Sequence, residues 1–322
     1  MKGSYEVIVE NERIQYKFTI NRNITILRGD SATGKTTLID MIYSYQSNGP
    51  ESGVNLSCKR NCIAVDSASW KLIIQNTKES IIFIDEGNDF INTEEFASVL
   101  AKNDNYFVIA TRNNLYNLPY SIKEIYGIKN TAGNRYQGTK RLYSTFYSLH
   151  DDKVDYIDRP EVVIVEDSNS GYMFFANFFS KMGIKCISAG GKSNIYNIVN
   201  KSNQNRLLVI ADGAAFGSEI NDIVALRSRK EIMIYLPESF EWMILKSGLI
   251  KFENMDDILN NTSQYVDSKK YISWERYFGK LLVEVTKDSN YFKYNKQKLN
   301  ESYLQEKSQR KILAIMPEIK EN

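Results

Sequence analysis

Apolar residues along this chain follow two rhythms, and the changes between them lay out its elements. Over residues 4–20 they alternate: Tyr5, Val7 and Val9, a polar turn at Asn11-Glu12, then Ile14, Tyr16, Phe18 and Ile20. Period-two alternation on both sides of a polar turn predicts an antiparallel hairpin. Short, mainly apolar runs follow at 24–27, 63–65, 81–84 and 106–110, each the length of a buried strand. Residues 36–45, 70–75 and 93–102 space their apolar positions as helices do, the last with Phe96, Val99 and Leu100 on one face. Residues 47–53 are polar with Gly and Pro and read as loop.

The pattern thins over residues 127–160, which are rich in Gly, Asn, Lys, Arg and Asp, and 134–141 reads as solvated surface. Asp151-Asp152-Lys153 and Asp158-Arg159-Pro160 mark a domain boundary. Strand-like runs restart at 162–165, 184–187, 207–211 and 232–236, with helix-like segments at 172–182 and 195–200 and a Gly190-Gly191-Lys192 turn. Strands alternating with helices imply a parallel sheet. From Phe240 onward the pattern is helical, with Trp242, Ile244, Leu245 and Leu249, then Tyr277, Leu281, Leu282 and Val285, suited to packing. Residues 296–311 carry Lys and Arg in the manner of a solvated helix face. The chain therefore reads as α/β in three parts: 1–155, 160–240, and a helical 241–322 packed on the second part.

At 322 residues, 43% hydrophobic and 25% charged, the chain has material for two sizeable cores. A net charge of +2 does not announce a nucleic-acid binder. Three cysteines, Cys58, Cys62 and Cys186, are too few and too odd for a disulfide framework and point to a reducing compartment. Cys58-x-x-x-Cys62 lacks a second ligand pair, and the only histidine is His150, whereas zinc takes four ligands. Residues 1–10 are mixed and polar, unlike a signal peptide, and no apolar run approaches the ~20 residues of a spanning helix. A cytoplasmic protein with no membrane partner is expected.

Candidate chemistry concentrates first at 24–39. The strand-like run ends in Gly29-Asp30-Ser31-Ala32-Thr33-Gly34-Lys35-Thr36-Thr37, followed by a helix. This is the P-loop spacing G-x-x-x-x-G-K-[ST] in a strand–loop–helix setting. Glycines let backbone N–H groups curl round phosphates, and a helix N-terminus adds positive potential. Lys35 is placed to reach the β- and γ-phosphates, and the Thr36 hydroxyl to ligate Mg²⁺, so ATP and Mg²⁺ are the cofactors expected. Fifty residues beyond Lys35, Ile81-Ile82-Phe83-Ile84-Asp85-Glu86 has the Walker B pattern, read as the strand beside the P-loop strand. Asp85 would hold Mg²⁺ through water, and Glu86 would polarise the attacking water. Thr111 and Arg112, at the tip of the 106–110 strand, are candidates for sensing the γ-phosphate. A hairpin followed by this loop resembles the start of ABC-class ATPase heads. The resemblance ends there: the interval between Lys35 and Asp85 is too short for a helical arm, and no LSGGQ-like signature or D-loop follows.

The second half has its own acid-tipped strands. Val162–Val165 ends in Glu166-Asp167, and the 207–211 strand in Asp212-Gly213-Ala214-Ala215-Phe216-Gly217, with Glu219 seven residues beyond Asp212. These positions, with Leu236-Pro237-Glu238-Ser239-Phe240-Glu241-Trp242 after them, resemble the Toprim domain of topoisomerases, primases and OLD-type nucleases. That resemblance implies Glu166, Asp167, Asp212 and Glu219 as metal ligands, and Glu166 and Asp212 as catalytic acids. Ala214 stands where the pattern has its second Asp. Clustered carboxylates suit divalent cations, and two-metal cleavage needs several of them. A receiver-like fold is the rival for the same strands, with Gly217 and Glu219 favouring Toprim. Together the two halves resemble a compact OLD-type protein: an ATPase whose nucleotide state gates a metal-dependent nucleic-acid-processing domain, in DNA metabolism or anti-phage defence. DNA or RNA is the expected partner, and an oligomer the expected state. The alternative is a nucleotide-sensing regulatory subunit with a degenerate Toprim domain that binds a partner protein from a neighbouring gene.

Overall fold

The Asn11 carboxamide oxygen accepts the N–H groups of Arg13 and Ile14, each at 2.9 Å, and closes the turn between β1 (Tyr5–Glu10) and β2 (Ile14–Ile20). The strands pair antiparallel and bury Val7, Val9, Tyr16, Phe18 and Ile20, so alternation places the hairpin correctly. The computed structural model describes residues 1–30, 33–131, 141–150 and 156–320. Ser31, Ala32, most of the 134–141 segment and Asp151-Asp152-Lys153 lie outside the described residues.

The chain divides into two compact units, Met1–Asp151 with Asn261–Ser273, and Asp152–Asn260 with Trp274–Asn322. In unit 1 the hairpin is followed by β3 (Ile24–Leu27), α1 (Lys35–Asn48), β4 (Asn55–Cys58), β5 (Cys62–Val65), α2 (Trp70–Asn76), β6 (Ile81–Ile84), α3 (Glu94–Ala101), β7 (Tyr106–Ala110), β8 (Ile125–Thr131) and β9 (Leu142–Ser148). Thr93 caps α3, its hydroxyl accepting the Phe96 N–H at 3.2 Å. All nine strands form one sheet, ordered β4-β1-β2-β9-β8-β3-β7-β6-β5. Strands β8, β3, β7, β6 and β5 run parallel.

The sheet begins with β4 and ends with β5, yet only residues 59–61 join these two edges. Three residues span little distance, so the sheet curls until its edges nearly meet. Helix α1 fills the curl: Leu38, Ile39 and Ile42 share one core with Val7, Val9 and Tyr16 of the hairpin and Phe83 and Val108 of the parallel strands.

The expectation that β6 lies beside β3 is wrong, because β7 pairs with both. Strands β4, β8 and β9 are missing from the apolar pattern, since polar residues interrupt them and sheet pairing, not composition, holds them straight. Nor does 241–322 lie wholly on the second part. Residues 261–273 belong to unit 1, where the Met1 ammonium meets Ser268 Oγ at 3.1 Å and Asn23 Nδ2 donates to the Ile272 carbonyl at 2.7 Å.

Unit 2 runs β10 (Tyr156–Ile157), β11 (Val162–Val165), α4 (Ser170–Lys181), β12 (Lys185–Ser188), α5 (Lys192–Lys201), β13 (Arg206–Ile210), α6 (Ile220–Ala225), β14 (Glu231–Tyr235), α7 (Phe240–Lys246), α8 (Met255–Asn260), α9 (Trp274–Thr286), α10 (Glu306–Leu313) and β15 (Glu318–Ile319). A four-stranded parallel sheet has the order β12-β11-β13-β14, as alternation implies. Phe174, Phe175 and Phe179 of α4 pack with Phe240, Met243 and Ile244 of α7 and Phe278 and Leu282 of α9. Each such phenylalanine stabilises the unit by about 2 kcal/mol. Among the described residues no helix is long and apolar enough to cross a membrane.

Candidate functional site

Two carboxyl-end sheet edges carry the candidate chemistry, one in each unit. In unit 1, β3 stops at Leu27 and α1 starts at Lys35. Gly34 takes φ +93°, a left-handed backbone that suits glycine. The Tyr16 hydroxyl donates to the Gly34 carbonyl at 2.9 Å and also bonds the Thr37 side chain. No side chain caps the N-terminus of α1, and no acid occupies its first turn. A helix N-terminus of this kind, with no acid in its first turn, is the setting in which backbone N–H groups take an anion.

Lys35 is buried, with its ammonium held by the Gly29 carbonyl at 2.7 Å, the Asp30 carbonyl at 3.0 Å and Thr33 Oγ1 at 3.2 Å. These are neutral acceptors, so the positive charge stays available to a phosphate. Thr36 Oγ1 lies 3.5 Å from Asp85 Oδ1, which also accepts the Glu86 N–H at 2.9 Å. The fold thus brings together a hydroxyl and a carboxylate that lie forty-nine positions apart. Both are hard oxygen donors of the kind Mg²⁺ takes, and they are the residues that would hold it.

The strand inserted between β3 and β6 changes the roles at its tip. Thr111 is buried, and its hydroxyl closes a turn on Asn113, donating to the carbonyl at 3.3 Å and accepting the N–H at 3.1 Å. Arg112 instead grips Glu86, Nε to Oε2 at 3.3 Å and Nη2 to Oε1 at 3.0 Å. Of the two γ-phosphate candidates, only Arg112 faces the proposed general base. Arg28 is a residue the motif reading assigns no role. It is buried, with Nη2 bonded to Asn114 Oδ1 at 2.7 Å and Tyr120 Oη at 3.0 Å, while Nε and Nη1 have no partner among the described residues. It ties the start of the loop to the segment after β7.

In unit 2 the strand order reverses between β11 and β13, and a crevice at such a point is where open α/β sheets bind ligands. A cavity of about 260 Å³ lies there, lined by Glu166, Asp167, Asp212, Glu241, Glu275 and Lys296 among others. Glu166 Oε2 accepts the Asp212 N–H at 3.0 Å. Burial pushes the Glu166 carboxyl up to about 7, with that N–H opposing and the Glu275 charge adding. Burial likewise raises Asp212 well above the usual carboxylate range, and the charges of Glu275, Glu166 and Glu241 add to it. Asp212 Oδ1 accepts the first N–H of α7, from Phe240, at 3.2 Å.

Asp167 is committed to structure, accepting the N–H groups of Asn169 at 2.9 Å and Gly171 at 2.8 Å at the start of α4. Gly213 permits a close crossing: its N–H meets the Pro237 carbonyl at 2.6 Å, and a Cβ there would stand 2.6 Å from the Leu236 carbonyl oxygen.

Three placements depart from the Toprim-based expectation. Glu219 lies off the cavity wall and faces Lys192 Nζ at 3.8 Å. Ala214 is buried off the wall too, so the residue in place of the second Asp does not border the cavity. Glu241 and Glu275 border it instead, together with Lys296, 4.0 Å from Glu241 and 3.1 Å from Glu275. Burial alone would lower the Lys296 ammonium, but the surrounding carboxylates raise it. Glu275 and Lys296 lie 63 and 84 positions beyond Asp212 in a stretch that reads only as helix, and no local pattern signals them. Among the described residues no group of three or more His, Cys, Asp or Glu side chains is set to hold a metal ion. The set Glu166, Asp167, Asp212 and Glu219 therefore does not fit as a metal cage.

No family model, curated protein or solved structure matches the chain.

Proposed function

We propose that this protein is an ATP-binding and ATP-hydrolysing switch whose nucleotide state controls a Toprim-like domain directed at nucleic acid, in DNA metabolism or anti-phage defence. The observation that carries the reading is the Thr36–Asp85 approach beneath an uncapped helix N-terminus, with Lys35 held by neutral acceptors. On this reading ATP sets its phosphates at residues 29–37, Thr36 and Asp85 would hold Mg²⁺, which would offset the phosphate charge, and Glu86, once freed from Arg112, would take the proton of the attacking water. Lys35→Ala should abolish binding; ATP affinity unchanged in titration calorimetry would remove the loop from the mechanism.

For unit 2 a second reading has a specific observation in its favour. Lys296 already pairs with Glu241 and Glu275, and among the described residues no three-ligand group is assembled. On this reading unit 2 is a binding module for a partner protein, and ATP hydrolysis is the only reaction. Incubation with DNA and RNA in Mg²⁺ or Mn²⁺ decides between them. Cleavage lost in Glu166→Ala/Asp212→Ala supports nucleic-acid processing, and no cleavage by the wild type supports the binding module.

A further inference from the structure

The Cys58-x-x-x-Cys62 pair has no part in either site, yet the fold gives it a defined position. Cys58 is the last residue of β4 and Cys62 the first of β5, the two edges of the curled sheet. Both sulfurs converge on the backbone of Arg60, in the three-residue turn that joins the strands. Cys58 is half-buried and Cys62 buried, and neither is in a disulfide.

The surroundings treat the two sulfurs differently. The Arg60 N–H points at Cys58 Sγ at 3.4 Å, and the Cys62 S–H also faces the Arg60 carbonyl at 3.8 Å. The neighbouring Cys62 thiol brings the Cys58 thiol down to about 7, against burial and with help from the Arg60 and Lys59 N–H groups and the Arg60 charge. Cys62 moves the opposite way, raised by the neighbouring Cys58 thiol and by burial. Cys186 on β12 is pushed up to about 12 by burial, which keeps it a thiol. A half-exposed, lowered thiol with a second, buried thiol on the same three-residue turn is the arrangement that oxidises in two steps.

We propose that Cys58 and Cys62 form a peroxide-reactive dithiol whose oxidation staples the two edges of the unit 1 sheet. The Cys58 thiolate attacks a peroxide oxygen, the O–O bond breaks, and a sulfenic acid forms on Cys58 as hydroxide leaves. The Cys62 sulfur then attacks the Cys58 sulfur, the S–O bond breaks, and the departing oxygen leaves as water with the Cys62 proton. The two thiols lose two hydrogens and two electrons, and hydrogen peroxide is reduced to two waters.

The test uses the intact protein with hydrogen peroxide, followed by thiol alkylation, peptide mapping and mass spectrometry. The expected product is a Cys58–Cys62 disulfide, lower in mass by two hydrogens, with Cys186 still alkylatable. Before oxidation, Cys58 should alkylate at least about tenfold faster than Cys186 near neutral pH. Cys62→Ala removes both the resolving thiol and the neighbour that lowers Cys58, so oxidation at Cys58 should slow and what forms should remain a sulfenic acid that dimedone traps. Peroxide-treated wild type with no Cys58–Cys62 peptide, or with Cys186 oxidised as readily, would overturn the proposal, and this readout needs no variant to fold.

Discussion

Gly34→Ala gives the sharpest test of how the loop between β3 and α1 is built. At φ +93° an alanine is strained, which costs about 1–2 kcal/mol. Its Cβ would also stand 2.7 Å from the Tyr16 hydroxyl, a distance that forces Tyr16 aside. Tyr16 then loses its 2.9 Å bond to the Gly34 carbonyl, worth about 1 kcal/mol in a buried setting. The sum is about 2–3 kcal/mol. In a Tyr16→Phe background the hydroxyl is gone, and the ring Cζ, 3.6 Å from the Cβ position, is in ordinary contact. There only the strain remains, about 1–2 kcal/mol, and the two changes couple by about 1 kcal/mol.

Urea denaturation followed by fluorescence reads this directly. Trp70 lies in unit 1, and replacing Trp242 and Trp274 by Phe leaves it the sole tryptophan. With a slope of ~1–3 kcal/mol/M, Gly34→Ala should lower the unit 1 midpoint by about 1–2 M, and by roughly half as much beside Tyr16→Phe. Equal shifts in the two backgrounds would show that Tyr16 does not buttress the loop, and no shift in either would refute the left-handed turn itself.

Three further predictions concern the two sites. Glu86→Gln should bind ATP with near wild-type affinity while hydrolysis falls about 100-fold or more; full turnover in a phosphate-release assay would exclude Glu86 as the base. Because burial raises the folded-state Glu166 carboxyl to about 7 from its ordinary value of 4.5, the folded state holds the extra proton between those values. The Glu166 contribution to unit 2 stability should therefore be fullest at or below about pH 4.5 and be lost as pH rises to about 7, by roughly 3 kcal/mol, and Glu166→Gln should flatten that fall in melting curves. Gly213→Ala sets a Cβ 2.6 Å from the Leu236 carbonyl and 2.9 Å from that of Pro237. It should destabilise unit 2 by about 3 kcal/mol or more while ATP binding in unit 1 persists; an unchanged unit 2 melting profile would contradict the crossing.

Much of the architecture is legible from the chain because it rests on local rules. Four-residue apolar runs locate β3, β6 and β11, and alternation around Asn11 locates the hairpin, since burial on one or both faces writes itself into the pattern. Strands β8 and β9 are invisible by the same rule, for Gly127, Lys129 and Asn130, and Ser144 and Thr145, dilute them. They are strands because β3 and β2 offer open ladder positions. The order β3-β7-β6 is likewise undetermined by any run of residues, since a buried strand carries no mark of its neighbour.

The sequence by itself determines where charge and hydroxyl can meet a phosphate, because loop, lysine and helix start are contiguous and a short chain leaves them little freedom. It also places acids at strand ends. Which acids share a cavity is a long-range matter. Glu219, close to Asp212 in sequence, turns to Lys192, while Glu275 and Lys296 reach Asp212's cavity from the far end of the chain. Side-chain direction at a sheet edge is set by what packs against it, and here the packing of α7 and α9 replaced the anticipated carboxylate set with one that already contains its own cation.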